Sequence, residues 1–104
     1  MPERIAIWTR DLIDTSQLKA LIPQLETANN IEAVITAAII IINLEEFGPI
    51  ITEIRSRAPA AFIIAYGPHV DVESAEAARV AGADRVLPRS RFFRDPLSAI
   101  SRPA

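Results

Sequence analysis

The chain has 104 residues, half of them hydrophobic, with no cysteine and a net charge of -2. That length supports one domain over residues 1–104, burying roughly two-thirds of the surface of its unfolded chain, and leaves no material for a second core. The missing cysteines exclude disulfides, thiolate metal centres and cysteine nucleophiles; with no signal-peptide pattern at the start, the expected compartment is the cytoplasm.

Arg4 to Trp8 (RIAIW) is short, apolar and rich in isoleucine, and predicts a first buried strand ending near Thr9, with Trp8 buried at the sheet end. DTSQLKALIPQLETANN then predicts a helix, with Asp14, Thr15 and Ser16 as candidate caps and Leu18, Leu21, Ile22 and Leu25 at helical spacing. Pro23 removes an amide donor and clashes with the preceding turn, so this helix is either kinked or starts later than its caps suggest. Residues 27–38 (TANNIEAVITAA) are too few for a parallel strand and its return crossover. Either IEAVIT is a strand with almost no return path, or it is helical and one βα unit has been lost; the helical reading is preferred.

Ala37 to Ile42 is an apolar run of six residues against the about 20 of a membrane span, and no run in the chain approaches that length, so no membrane association is expected. AIIIINL is apolar on both faces and β-branched, as in a central parallel strand covered by helices on each side. GPIITEIRSRAP predicts a helix with Pro49 in its first turn, an Ile50, Ile51, Ile54 and Ala58 stripe, and a Glu53–Arg57 pair on its wet face. AAFIIAYG is another buried strand. HVDVESAEAARVAG is a helix capped by Asp71, acidic at its start and stopped by Gly82, and ADRVLPR is the last strand. Residues 85–104 hold five arginines and one aspartate, a net of +4, on a body of -6. No aromatic interleaving or reading motif accompanies these arginines, so nucleic acid is not an expected partner. Strands alternating with helices make a doubly wound parallel α/β sheet, a flavodoxin-like three-layer sandwich with one βα unit shortened or lost.

In such a sheet the loops at the carboxyl ends of the strands converge on one crevice, where ligands collect. Thr9, Arg10, Asp11, Asn43, Glu45, Glu46, Tyr66 to His69, Pro88, Arg89 and Ser90 occupy those loops. AGADRVLPRS (Ala81 to Ser90) resembles the segment of response-regulator receiver domains in which a Gly-Ala-Asp turn leads into the last strand and a lysine-proline pair. The isoleucine strand ending in Asn43-Leu44 is similar to the receiver strand that ends in the phosphorylated aspartate. AYGPHVDVESAEAARVAGADRVLPRSRFF resembles a group of stand-alone, atypical receiver-like proteins.

The resemblance implies a degenerate site. Asn43 corresponds to the phosphoacceptor aspartate, Thr9 and Arg10 to the acidic pair with Asp11 close by, Tyr66 approximately to the switch hydroxyl, and Arg89 to the lysine. An amide is a poor nucleophile and Mg²⁺ needs carboxylates, so no metal, cofactor or enzymatic activity is expected. Asn43 is free to bond Arg89 or loop amides. His69, the single histidine, reads as a loop or capping group beside Asp71, lacking partners for a metal or a nucleophile to activate. Arg10, Arg89 and Arg91 either pair with Asp11, Glu45 and Glu46 or bind an anion. The leading expectation is a phosphorylation-independent pseudo-receiver that acts through protein contacts, as a homodimer or with another signalling protein. Its surface would be residues 72–95, with Glu73, Glu76, Arg91, Phe92 and Phe93 at the interface. The alternative is a small anion or nucleotide sensor using Arg10, Asn43, His69 and Arg89.

Overall fold

The computed structural model describes residues 3–68 and 70–103. Five parallel strands, β1 (Ile5–Trp8), β2 (Glu26–Thr27), β3 (Ile39–Asn43), β4 (Phe62–Gly67) and β5 (Arg85–Pro88), lie in the order β2-β1-β3-β4-β5. This is the doubly wound order expected of the alternating pattern. Every residue of β3 is buried, because the strand is covered on both faces. Ile40 and Ile42 point with Ala6, Trp8, Ile63 and Ala65 into one core layer, and Ile39 and Ile41 with Ile5, Ile7, Ile64 and Tyr66 into the other. The first layer is closed by α2 (Ile31–Ile35), α4 (Ile51–Arg57) and α5 (Val72–Ala81), the second by α1 (Leu12–Leu21), α6 (Arg89–Arg94) and α7 (Pro96–Ala99). No helix among the described residues is long and apolar enough to cross a membrane.

The start of α1 differs from the sequence expectation. Its cap is Asp11, whose carboxylate accepts the amides of Ile13 (2.9 Å) and Asp14 (3.2 Å). Asp14 lies one turn inside, and the buried stripe is Asp14, Leu18, Ile22 and Leu25, while Leu21 faces water. Pro23 kinks nothing: the helix ends at Leu21, before the ring could meet a helical carbonyl.

The βα unit is shortened and not lost. IEAVIT is helical, with Asn30 capping α2 through the Ala33 amide, and the second strand persists as two exposed residues. Glu26 of β2 holds Arg4 through two hydrogen bonds of 2.8 Å, and Ala28 donates its amide to Ile7. The helix expected from Gly48 to Pro59 opens as a 3-10 turn (Gly48–Ile50) and continues as α4, and a short α3 (Leu44–Phe47) precedes it; Ile51, Ile54 and Ala58 are buried and Glu53 pairs with Arg57, as expected.

Gly82 ends α5 at φ 126°, and a Cβ there would stand 2.6 Å from that of Arg55. Arg55 donates to the Gly82 carbonyl and pairs with Asp84 (2.6 Å), whose carboxylate accepts the Ile63 amide. The Gly-Ala-Asp turn thus ties α4, β4 and β5 together at the end of the sheet opposite the crevice.

Candidate functional site

The carboxyl edge of the sheet carries two separate networks. The first lies between β1 and β3. Asn43, at 8% exposure, ends β3 and caps α3, its Oδ1 accepting the amides of Glu45 (3.1 Å) and Glu46 (3.4 Å). Its Nδ2 donates to Thr9 Oγ1 (3.0 Å). The Thr9 hydroxyl donates to Glu46 Oε1 (3.2 Å), which also accepts the Arg10 amide (2.9 Å), and the Asp11 amide donates to Thr9 Oγ1. The side chains at the bottom of the crevice therefore satisfy one another, and Asp11 is committed to capping α1.

Arg10 points its guanidinium over the Phe47 ring at 5.4 Å, and Phe47 in turn stacks on Trp8 at 4.6 Å. Among the described residues no three Asp, Glu, His or Cys side chains gather as a metal-ligand set.

The second network lies on the other face, between α1, β4 and α6. Asp14 is almost fully buried; its Oδ2 accepts the Tyr66 hydroxyl (2.9 Å) and its Oδ1 pairs with Arg89. Tyr66 stacks on Phe92 (4.9 Å) and meets Phe93 edge-on (5.7 Å), and Arg89 lies over the Phe93 ring (4.7 Å). Burial, reinforced by the anionic acceptor Asp14, pushes the Tyr66 phenol well above its ordinary pKa of 10.0. The hydrogen bond to Asp14 raises Arg89 in turn.

These contacts correct several expectations. Arg89 pairs with Asp14, not with Asn43, Asp11, Glu45 or Glu46, and Arg10 has no carboxylate partner among the described residues. Arg10 and Arg89 project on opposite faces of the sheet, so they do not converge on one anion. Phe92 is fully buried beneath Tyr66 and supplies no interface surface, because the aromatic pair fills the layer under α6. Phe93 is half-buried, while Glu73, Glu76 and Arg91 are exposed. His69 lies outside the described residues. Asp14 was not foreseen as a site residue; its i, i+4, i+8 spacing with Leu18 and Ile22 was the available signal.

No family model and no curated protein matches the chain. Solved structures of receiver domains do. A response regulator from Burkholderia pseudomallei, described with a phosphorylated aspartic acid, a calcium ion and citrate, superposes with a TM-score of 0.83 at 15% identity, over 96% of this chain and 67% of that one. A two-component response regulator of the LuxR family from Aurantimonas gives 0.77 at 20% identity, over 96% and 83%. A CheY-like protein from Pseudomonas aeruginosa gives 0.74 at 19%, over 93% and 94%. The chain has the receiver fold.

Proposed function

We propose that this chain is a pseudo-receiver: a signalling module that keeps the receiver fold, works without phosphorylation, and acts by binding another signalling protein or a second copy of itself. The observation that carries this reading is the commitment of Asn43. Its amide caps α3 and bonds Thr9, which leaves no carboxylate nucleophile at the end of β3. Two further features support it. Thr9 and Arg10 stand where two acids would be needed for Mg²⁺, and the Arg10 cation opposes one. Arg89 is held by Asp14 and is not free to meet a phosphoryl group.

A module of this kind binds and does not catalyse, and it belongs in the cytoplasm beside its partners. Its working face is the region of residues 72–95, with Glu73, Glu76 and Arg91 exposed and Phe93 at its margin. The test is intact-mass measurement after incubation with acetyl phosphate and Mg²⁺. No added mass is expected; a stable adduct of one phosphoryl group, mapped to Asp11, Glu45 or Glu46, refutes the reading.

A further inference from the structure

The free edge of β5 opens into a trough of about 720 Å³, larger than the hollow of about 220 Å³ beside Leu44 and Gly67 at the carboxyl edge. Four arginines line it: Arg79 from the last turn of α5, Arg85 from β5, and Arg91 and Arg94 from α6. Their partners divide them sharply. Arg85 is a structural group, donating to the Ala99 carbonyl (2.7 Å) and lying over the Phe62 ring (5.1 Å). Arg79, Arg91 and Arg94 are exposed and form no ion pair among the described residues. Elsewhere Arg4, Arg55, Arg57, Arg89 and Arg102 are each paired with a carboxylate, and Arg10 lies on Phe47. The unpartnered guanidiniums are thus gathered at one concave place.

The two acids in the trough do not neutralise them. Asp84 is engaged by Arg55 at 2.6 Å, and Asp95 accepts the Ser98 amide as the cap of α7. Guanidinium groups without partners, set on two helices along an open channel, suit several carboxylates carried in sequence, each taken by a two-pronged hydrogen bond. A nucleic-acid strand fits less well: Phe62 is covered by Arg85 and Phe92 is buried, so no aromatic face offers stacking.

From this charge complementarity we infer that the trough is a docking site for an acidic, extended segment of a partner protein, held chiefly by Arg79, Arg91 and Arg94. The inference rests on the protein-binding reading above and names the chemistry of the partner.

The test uses the full chain and fluorescein-labelled octaglutamate, with anisotropy followed at low and high salt, and octalysine, tripolyphosphate and a single-stranded oligonucleotide as controls. Octaglutamate is expected to bind and to weaken with salt, and Arg91→Glu with Arg94→Glu to reduce its affinity by at least about tenfold. The charge reversal Arg10→Glu, away from the trough, is expected to leave it unchanged. All these positions are exposed, so matching melting curves will exclude misfolding as the cause. The proposal is overturned by the absence of octaglutamate binding at low salt, by binding indifferent to the trough substitutions, or by tighter binding of tripolyphosphate or the oligonucleotide. It is also overturned by sedimentation showing a dimer that the trough substitutions dissociate, since the occupant is then a second copy. Any of these outcomes leaves the phosphorylation test unaffected, and a phosphoryl adduct refutes the pseudo-receiver reading whatever the peptide does.

Discussion

Asp14 and Arg89 form an ion pair whose two sides meet very different surroundings: the carboxylate side chain is 1% exposed and the guanidinium side chain 35%. Arg89 can turn to water if its partner disappears, whereas Asp14 cannot. Asp14→Asn should therefore cost less than Arg89→Met, even though both break the same pair. The asparagine still accepts the Tyr66 hydroxyl, for a loss of about 1–2 kcal/mol. Removing Arg89 leaves a buried carboxylate with Tyr66 as its remaining donor, for a loss of about 3 kcal/mol. Urea denaturation of the two variants measures the order, and a larger loss for Asp14→Asn contradicts it.

The chain has one tyrosine, so its phenol can be followed directly. Tyr66 is raised above its ordinary value of 10.0, chiefly by burial. A group whose folded pKa is raised contributes stability that is complete below the unfolded value and is lost as pH climbs toward the folded one. The phenolate absorbance band should stay absent above pH 10 while the chain remains folded, and should appear together with the loss of secondary structure. Titration of a folded chain near pH 10 means that Tyr66 is not enclosed as described.

Asp71 caps α5 through the Ser74 amide at 2.7 Å, and that bond lowers its carboxyl below the usual 3.8. A depressed folded pKa contributes stability above the unfolded value and loses it as pH falls through the folded one. Asp71→Ala should lower the melting temperature at neutral pH. The gap to wild type should close as pH falls through that lowered value, where the wild-type cap is itself protonated. A gap that is independent of pH indicates that the carboxylate bond is not the source.

Several of these groups were legible in the sequence and others were not. The strands β1, β3 and β4 announce themselves as isoleucine-rich runs because each is buried on both faces, whereas β5 holds no isoleucine and is only half-buried at three of its four residues. Asp71 and Gly82 carry the residue types that their backbone positions require. β2 has no such pattern: its two residues are exposed, and its place is set by Arg4 and Ile7 reaching it from elsewhere in the chain. Asn43 was readable as a neutral amide at the end of a buried strand, since its residue type and place in the pattern are given directly. Its actual partners, Thr9 and two amides, depend on how β1 and β3 are paired. Asp14 was misassigned because an acid near a helix start reads equally as a cap. Asp11 takes that role, and long-range packing of Tyr66 and Arg89 gives Asp14 its own.

The network around Asn43 also determines what Asn43→Asp would do. The new carboxylate would keep both amide donors of α3, but it would compete with Glu46 for the single proton of Thr9 and stand beside a second negative charge. On the pseudo-receiver reading proposed above, Thr9 and Arg10 stand where acids would be needed to hold Mg²⁺, and the variant does not change them. The variant is therefore expected to fold with reduced stability and to remain unlabelled.

The most direct measurement is the intact mass of the wild-type chain and of Asn43→Asp, side by side, after incubation with acetyl phosphate and Mg²⁺. Both masses should be unchanged. An Mg²⁺-dependent gain of one phosphoryl group by the wild-type chain would contradict phosphorylation independence, and robust labelling of the variant alone would contradict the loss of the metal-binding geometry.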